Sequence, residues 1–225
     1  MTVQPPSPEA SARLIMTLRG QGVRDTATLS AIEKIPRDIF VPAALRNHAY
    51  DDVSLPIAYG QTISQPYIVA LMCQLMALKG REIILEIGTG SGYQAAVMSL
   101  LCRRVYSIER IRPLLVEADR RFQHLRLSNI TTAFADGQSG WPKIAPFDRI
   151  VLACATREIP QALLEQLKPG GILVAPVEDD DGGQWLETVS QPVDGSALIR
   201  KQIMPVRFVP MLSDVAEAGN LRQNQ

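Results

Sequence analysis

Ile83-Ile84-Leu85-Glu86-Ile87-Gly88-Thr89-Gly90-Ser91-Gly92 is the stretch that decides the fold. Its first half, apolar except for Glu86, reads as a short buried strand. Gly88, Gly90 and Gly92 then alternate through a turn, and Tyr93 to Leu101 continues with the spacing of a helix. The glycines let the backbone turn sharply and leave no side chain above it. A ligand can therefore lie against the chain and reach the amides that open the helix.

Spacing narrows the choice of ligand. A dinucleotide fingerprint runs G-x-G-x-x-G, with its third glycine where helix and strand cross closely, and this chain has Tyr93 at that place. The next apolar run, Val105 to Glu109, ends in a carboxylate 17 residues beyond Gly92. An acid there can accept both hydrogen bonds of a ribose diol. Glu86 adds negative charge that would repel a pyrophosphate and tolerate a cationic amino-acid tail or a sulfonium. The combination suits S-adenosylmethionine. On these residues alone a nicotinamide or flavin nucleotide, or a turn kept for packing, stays open.

Outward from this stretch, strands and helices alternate. A helix opened by Pro66 leads into strand 82–87, followed by helix 92–103, strand 104–109, helix 111–126 and strand 130–134. Strand 148–154, helix 159–167 and strand 171–177 continue the series, which is the mark of a parallel sheet covered on both faces. After Pro176 two alternating segments, 184–190 and 197–204, predict a terminal antiparallel hairpin. Ahead of the sheet, Ser7 is placed as the N-cap of a helix running from Pro8 to Arg19, and a second helix spans Thr26 to Ile35. Irregular chain from Pro36 to Gln65 completes a cap on the sheet. The expected fold class is α/β, Rossmann-like, and resembles that of the S-adenosylmethionine-dependent methyltransferases. One domain fills residues 1–225, with 7–65 as helical cap and active-site loop, 66–212 as core and 213–225 as a polar tail.

Bulk composition excludes several partners. Lys plus Arg (23) equals Asp plus Glu (23), which leaves no electrostatic footprint for nucleic acid or an anionic membrane. No stretch approaches the roughly 18 apolar residues of a membrane span. Cys73, Cys102 and Cys154 are scattered and odd in number, as expected of core residues in a reducing compartment. The polar, proline-rich start lacks the regions of a signal peptide, so the expected location is cytoplasmic. The acidic run Glu178-Asp179-Asp180-Asp181 lacks the spaced ligands of a calcium loop and reads as a solvated turn. No metal is expected.

In open parallel sheets ligands sit beyond the carboxyl ends of the strands. That edge should gather Gly88 to Gly92, Glu109, Asp136-Gly137 and residues 154–157. The Asp136 carboxylate is placed to reach an adenine amino group, although Asp-Gly is also a common turn. The polar block Gly60-Gln61-Thr62-Ile63-Ser64-Gln65-Pro66 lies just before a helix. Read alone, Ser64 or Gln65 either faces the cleft or merely caps that helix.

These blocks, together with Ile35-Pro36-Arg37-Asp38-Ile39-Phe40-Val41-Pro42, Val105-Tyr106-Ser107-Ile108-Glu109, Gly140-Trp141-Pro142 and Val206-Arg207-Phe208-Val209-Pro210, resemble the protein-L-isoaspartate O-methyltransferases over residues 12–212. The resemblance implies an enzyme that methylates the free α-carboxylate of isoaspartyl residues in damaged proteins and peptides, with S-adenosylmethionine as donor and S-adenosylhomocysteine as product. It implies Ser64 as the active-site hydroxyl, Thr62 and Ile63 beside the cofactor, and Val209 and Pro210 in the peptide groove. The cofactor set is then Thr62, Ile63, Glu86, Gly88, Thr89, Gly90, Ser91, Gly92, Glu109, Asp136 and Gly137. A monomer is expected. His48 and His124 lie outside the matching blocks, and an ionised carboxylate needs no strong base.

Three places depart from the family's pattern: Ala58, Ala135 and Ala153-Cys154-Ala155. If Ala135 replaces a glycine at positive φ, the Asp136 turn is strained. The departures leave room for a relative retargeted to one peptide, or for a binding module without turnover.

Overall fold

The computed structural model describes residues 8–216. Ser7 and the end of the polar tail therefore lie outside the described residues. A seven-stranded sheet forms the centre, in the spatial order β5-β4-β3-β6-β7-β8-β9. Its strands are β3 (Ile83–Ile87), β4 (Arg104–Glu109), β5 (Ile130–Phe134), β6 (Phe147–Leu152), β7 (Leu167–Glu178), β8 (Gln184–Ser190) and β9 (Ile199–Val206). The first five pair in parallel, and β8 and β9 close one edge antiparallel. The order reverses between β3 and its two neighbours, β4 and β6. A cleft opens at such a reversal, beyond the carboxyl ends.

Period-two alternation sends neighbouring residues of each inner strand to opposite faces. Ile84, Val151 and Val174 face one core, and Leu85, Ile150 and Leu173 face the other. The first core is shared with α1 (Pro8–Gly20), α2 (Thr26–Lys34), α3 (Pro66–Leu75), α4 (Tyr93–Ser99) and part of α5 (Arg112–His124). The second is covered by α6 (Gln161–Glu165) and by Trp141 and Ile144. Both faces are covered, as the alternation predicts, but unequally.

Local chemistry sets the boundaries. The Asp25 carboxylate accepts the amides of Ala27 and Thr28, and Pro36 stops the chain from continuing α2. The helix expected over 92–103 ends at Ser99, because the Asn129 side-chain amide donates to the carbonyl of Ser99 at 2.8 Å and turns the chain toward β4. α6 is shorter than the expected 159–167, starting only after Pro160. β7 begins earlier than 171, since Leu167 already pairs with Phe147. The stretch 36–65 is less irregular than expected. It holds two 3-10 turns, Arg37–Phe40 and Ala43–His48, and a small antiparallel pair, β1 (Leu55–Pro56) with β2 (Thr62–Ile63), separate from the main sheet.

Gly92 shows why the central turn carries its last glycine. Its φ is 91°, and a Cβ built on it would lie 2.8 Å from the ring of Phe122 on α5. A side chain would meet both backbone strain and a rigid aromatic wall. Gly92→Ala is expected to cost about 2–4 kcal/mol from the two effects together, visible as a lowered urea midpoint at unchanged slope. A midpoint equal to that of the native protein would show that Phe122 can move aside.

Candidate active site

The glycine turn connects β3 to α4, and its underside is held by carboxylates and hydroxyls. Glu109, at the end of β4, is 5% exposed. One of its oxygens accepts the Gly90 amide at 2.8 Å, and the other accepts the Ile111 amide at 2.9 Å. Burial raises its pKa, while the amides of Gly90, Ile111 and Arg110 favour the ionised form. Each oxygen keeps a further lone pair, so Glu109 can hold the loop and still accept from a ribose.

Glu86 departs from its expected place. It is fully buried beneath the turn, where Ser107 Oγ donates to one oxygen at 2.5 Å, and Ser107 also shares a 2.6 Å hydrogen bond with Thr89 Oγ1. It reaches the cleft only through this chain of hydroxyls. Burial pushes its pKa up to about 8, opposed by the Ser107 hydrogen bond and reinforced by Glu109. The carboxyl is thus mostly protonated at neutral pH. The expected repulsion of a pyrophosphate by its charge does not follow.

Two small cavities flank Gly88. One, of about 60 Å³, is lined by Glu109, Ile111, Gly137, Cys154 and Pro210 among others. The other, of about 50 Å³, is lined by Thr62, Ile63, Ser64, the turn from Gly88 to Ser91, and Gln94. They share Gln61, Gly88 and Val209 as walls. Thr62 and Ser64 also line a wider groove of about 610 Å³ that runs along Tyr67, Ile68 and residues 204–208. Ser64 thus stands where the cavities beside Gly88 and the groove meet. Val209 and Pro210 line the cavities beside Gly88 instead of this groove, because the carbonyl of Val209 accepts the Ala155 amide at 2.8 Å and is drawn to the end of β6.

The Ser64 loop is clamped from below. Arg37 is fully buried, and its Nη2 donates to the carbonyls of Ser64 at 2.9 Å and Val53 at 3.4 Å. Its guanidinium carbon lies 4.7 Å from the centre of the Tyr93 ring. Asp52 holds the other side, accepting from the Tyr67 amide at 2.8 Å and from the Gln65 side chain at 2.9 Å. Sequence reasoning did not assign these roles to Arg37 and Asp52, nor one to Gln94. Their signal was faint: the charged pair Arg37-Asp38 inside the apolar Ile35–Val41 block, and one amide in the uncharged stretch Tyr93–Ser99.

Asp136 sits at the expected edge, but its oxygens accept the amides of Gln138 at 2.9 Å and Asp214 at 3.1 Å. Gly137 is required by packing, since a Cβ there would lie 2.3 Å from Ile87. Ala135 is not among the described residues with positive φ, which are Tyr59, Ala77, Arg126 and Asp214 apart from glycines. The strain expected at Ala135 is absent. Ala153 faces Gly88, 3.5 Å from where a Cβ would be, so a small residue suits that place.

The turn fits S-adenosylmethionine by its own geometry. Among the described residues nothing lies within 4 Å of a Cβ built on Gly90, whose backbone borders the cleft, and the Gln94 amide beside it is buried without a partner. Comparison with known proteins agrees. The family model for protein-L-isoaspartate(D-aspartate) O-methyltransferase matches residues 9–216. A protein-L-isoaspartate O-methyltransferase of Rhodospirillum centenum is 54% identical over 91% of this chain and 92% of its own length. One of Paramagnetospirillum magneticum is 52% identical over 91% and 95%. The chain belongs to the protein-L-isoaspartate(D-aspartate) O-methyltransferase family. A solved protein-L-isoaspartate O-methyltransferase superposes with a TM-score of 0.79 at 28% identity, over 94% of this chain and 67% of the other. The fold is also that of a candidate family member from Plasmodium falciparum, solved in complex with S-adenosyl-L-homocysteine, with a TM-score of 0.77 at 22% identity over 89% and 97%. Members of this family are S-adenosylmethionine-dependent methyltransferases.

Glu86 gives a pH test. Folded, it holds its proton to about pH 8, against an ordinary value of 4.5. Between those values the unfolded chain binds fewer protons, so the fold loses stability as pH rises through the window. Glu86→Gln removes the titration at constant shape. Its thermal midpoint should climb relative to the native protein between about pH 5 and about pH 8.5. A constant difference would mean that Glu86 is not held neutral.

Proposed function

We propose that this chain methylates the free α-carboxylate of isoaspartyl residues in damaged proteins and peptides, starting their return through a succinimide to normal aspartate. The observation that carries this reading is the position of Ser64 between the cavity beside the glycine turn and an open groove of about 610 Å³. S-adenosylmethionine supplies an activated methyl group on a sulfonium. All else is orientation by the chain's own residues.

The substrate carboxylate is ionised at neutral pH and needs no base to become a nucleophile. Neither histidine is poised to act as one. His48 pairs with Asp51 at an exposed site, and His124 ends α5 at the surface. Ser64 Oγ positions the carboxylate by donating to one oxygen, which leaves the other aimed at the methyl group. Thr62 and Ile63 wall the cofactor side, and Val209 closes the cleft above Gly88. Glu109 and the turn from Gly88 to Gly92 hold the nucleoside. Asp136 and Gly137 shape its adenine end, and Pro210 lies beside Glu109. A narrow, partly dry passage favours a step in which carboxylate and sulfonium charges cancel.

The same reading takes residues 1–225 as one methyltransferase unit, acting as a cytoplasmic monomer on proteins and peptides, not on nucleic acid or at membranes. No described helix is long and apolar enough to cross a membrane, and the sequence is charge-balanced.

Labelled methyl from S-adenosylmethionine should appear as a base-labile ester on an isoaspartyl peptide and not on its aspartyl twin. Ser64→Ala should lower kcat on the order of 10²-fold while S-adenosylhomocysteine binds as before. Unchanged turnover in that variant would remove Ser64 from the mechanism.

A further inference from the structure

Two segments line the groove beside Ser64, from Thr62 to Ile68 and from Met204 to Phe208, together with Gln21 and Ser54. All the lining side chains are neutral except one. Arg207 is the single charged residue among the described ones that line the groove, and no described carboxylate lies within ion-pairing distance of its guanidinium. Its neighbours Pro205, Val206 and Phe208 are apolar, so its charge stands against a wall that screens it poorly.

The backbone under this cation is held on both sides. Val206 pairs with Gln184 at the end of β9, and the Gln184 side chain accepts the Phe208 amide at 2.7 Å and donates to the Phe208 carbonyl at 3.3 Å. Arg207 lies between these anchors with its side chain exposed. Around the other segment the polarity is reversed. Gln21 and Gln65 donate their Nε2 atoms to Asp52, at 2.8 and 2.9 Å, which leaves each Oε1 as an acceptor. Asp52 also accepts the Tyr67 amide at 2.8 Å, so three donors turn its oxygens into the wall. A peptide in this groove meets amide acceptors suited to its own backbone N–H groups. A carboxylate finds its charge complement only at Arg207, whose planar fork of N–H donors matches it.

We infer that Arg207 is a specificity-determining residue, its guanidinium pairing with the side-chain carboxylate of an aspartate or glutamate that flanks the isoaspartyl residue. The inference rests on the groove being the site of the isoaspartyl substrate. The α-carboxylate to be methylated is the poorer partner. A guanidinium held on it would stabilise the very charge that the transfer cancels, and so hold back the step. Because Arg207 is exposed, the preference it confers is modest and sensitive to salt.

The test uses the full chain, S-adenosylmethionine and isoaspartyl peptides in which each residue close to the isoaspartyl position is in turn glutamate, glutamine or lysine. At low ionic strength at least one position should show a KM about 2–5-fold lower with glutamate than with glutamine, and higher again with lysine. The preference should fade at about 1 M salt, where charges are screened within about 3 Å. Arg207→Gln should erase it, Arg207→Lys should keep part of it, and Arg207→Glu should reverse it in favour of lysine. Equal KM values for the glutamate and glutamine peptides at every position, or the same preference in the native protein and the variants, would overturn the inference. So would an equal rise in KM for all peptides in Arg207→Gln, which would give Arg207 to the isoaspartyl carboxylate itself. Absence of methyl transfer from the native protein to any of these peptides would overturn the reading of the groove, and the inference with it.

Discussion

Close approach of backbone to side chain at the end of β3 is the constraint on which the site depends. At Gly92 the chain passes so near Phe122 and Ala118 of α5 that no side chain fits, and at Gly137 it presses on Ile87 in the same way. These contacts pinch the carboxyl end of β3 from two directions. The floor of the cleft is therefore fixed by the packing of α5 and of the turn after β5, and a ligand meets a surface already in place. Preorganisation of this kind lowers the ordering cost of binding.

Two buried carboxylates beside that floor play different parts because their surroundings differ. Glu109 receives backbone amides from both the turn after β3 and the start of the chain after β4, which stitches the two loops together. Glu86, one strand away, receives only a hydroxyl and keeps one oxygen without a partner among the described residues. Burial prevails there and the acid stays protonated. A sequence shows two glutamates near a glycine turn. Only the donors around each separate a bridge between two loops from a buried support.

The same distinction explains what was legible in the sequence. The strand, turn and helix at 83–99, the alternation beyond them and the terminal hairpin follow from local periodicity and from glycine and proline, so they were readable. The order of the strands, the end of α4 at Ser99 and the early start of β7 depend on Asn129, Phe147 and other residues distant in the chain, and they were not. In the site, Glu109 and the glycines could be placed by spacing. Ser64 could not be separated from a helix cap on local grounds, and the family's blocks were needed to choose. Ala135 misled because a missing glycine implies strain only where φ is positive, a backbone fact that sequence does not carry.

The clamp under Ser64 shows how a buried charge can hold a site to one geometry. Arg37 must satisfy two carbonyls, from Val53 and Ser64, while lying against the Tyr93 ring. A planar guanidinium can do all three at once, and an ammonium on a flexible stem cannot. Its burial is itself unfavourable and lowers its pKa. Tyr93 follows Gly92 directly, so the same arginine touches the segment that carries Ser64 and the helix that opens after the glycine turn. In a reaction whose rate depends on the approach of one oxygen to one methyl carbon, misplacement by an ångström is costly. The buried charge ties the two halves of that geometry to one rigid group, which is a physical reason for an arginine to sit where the core would otherwise be apolar.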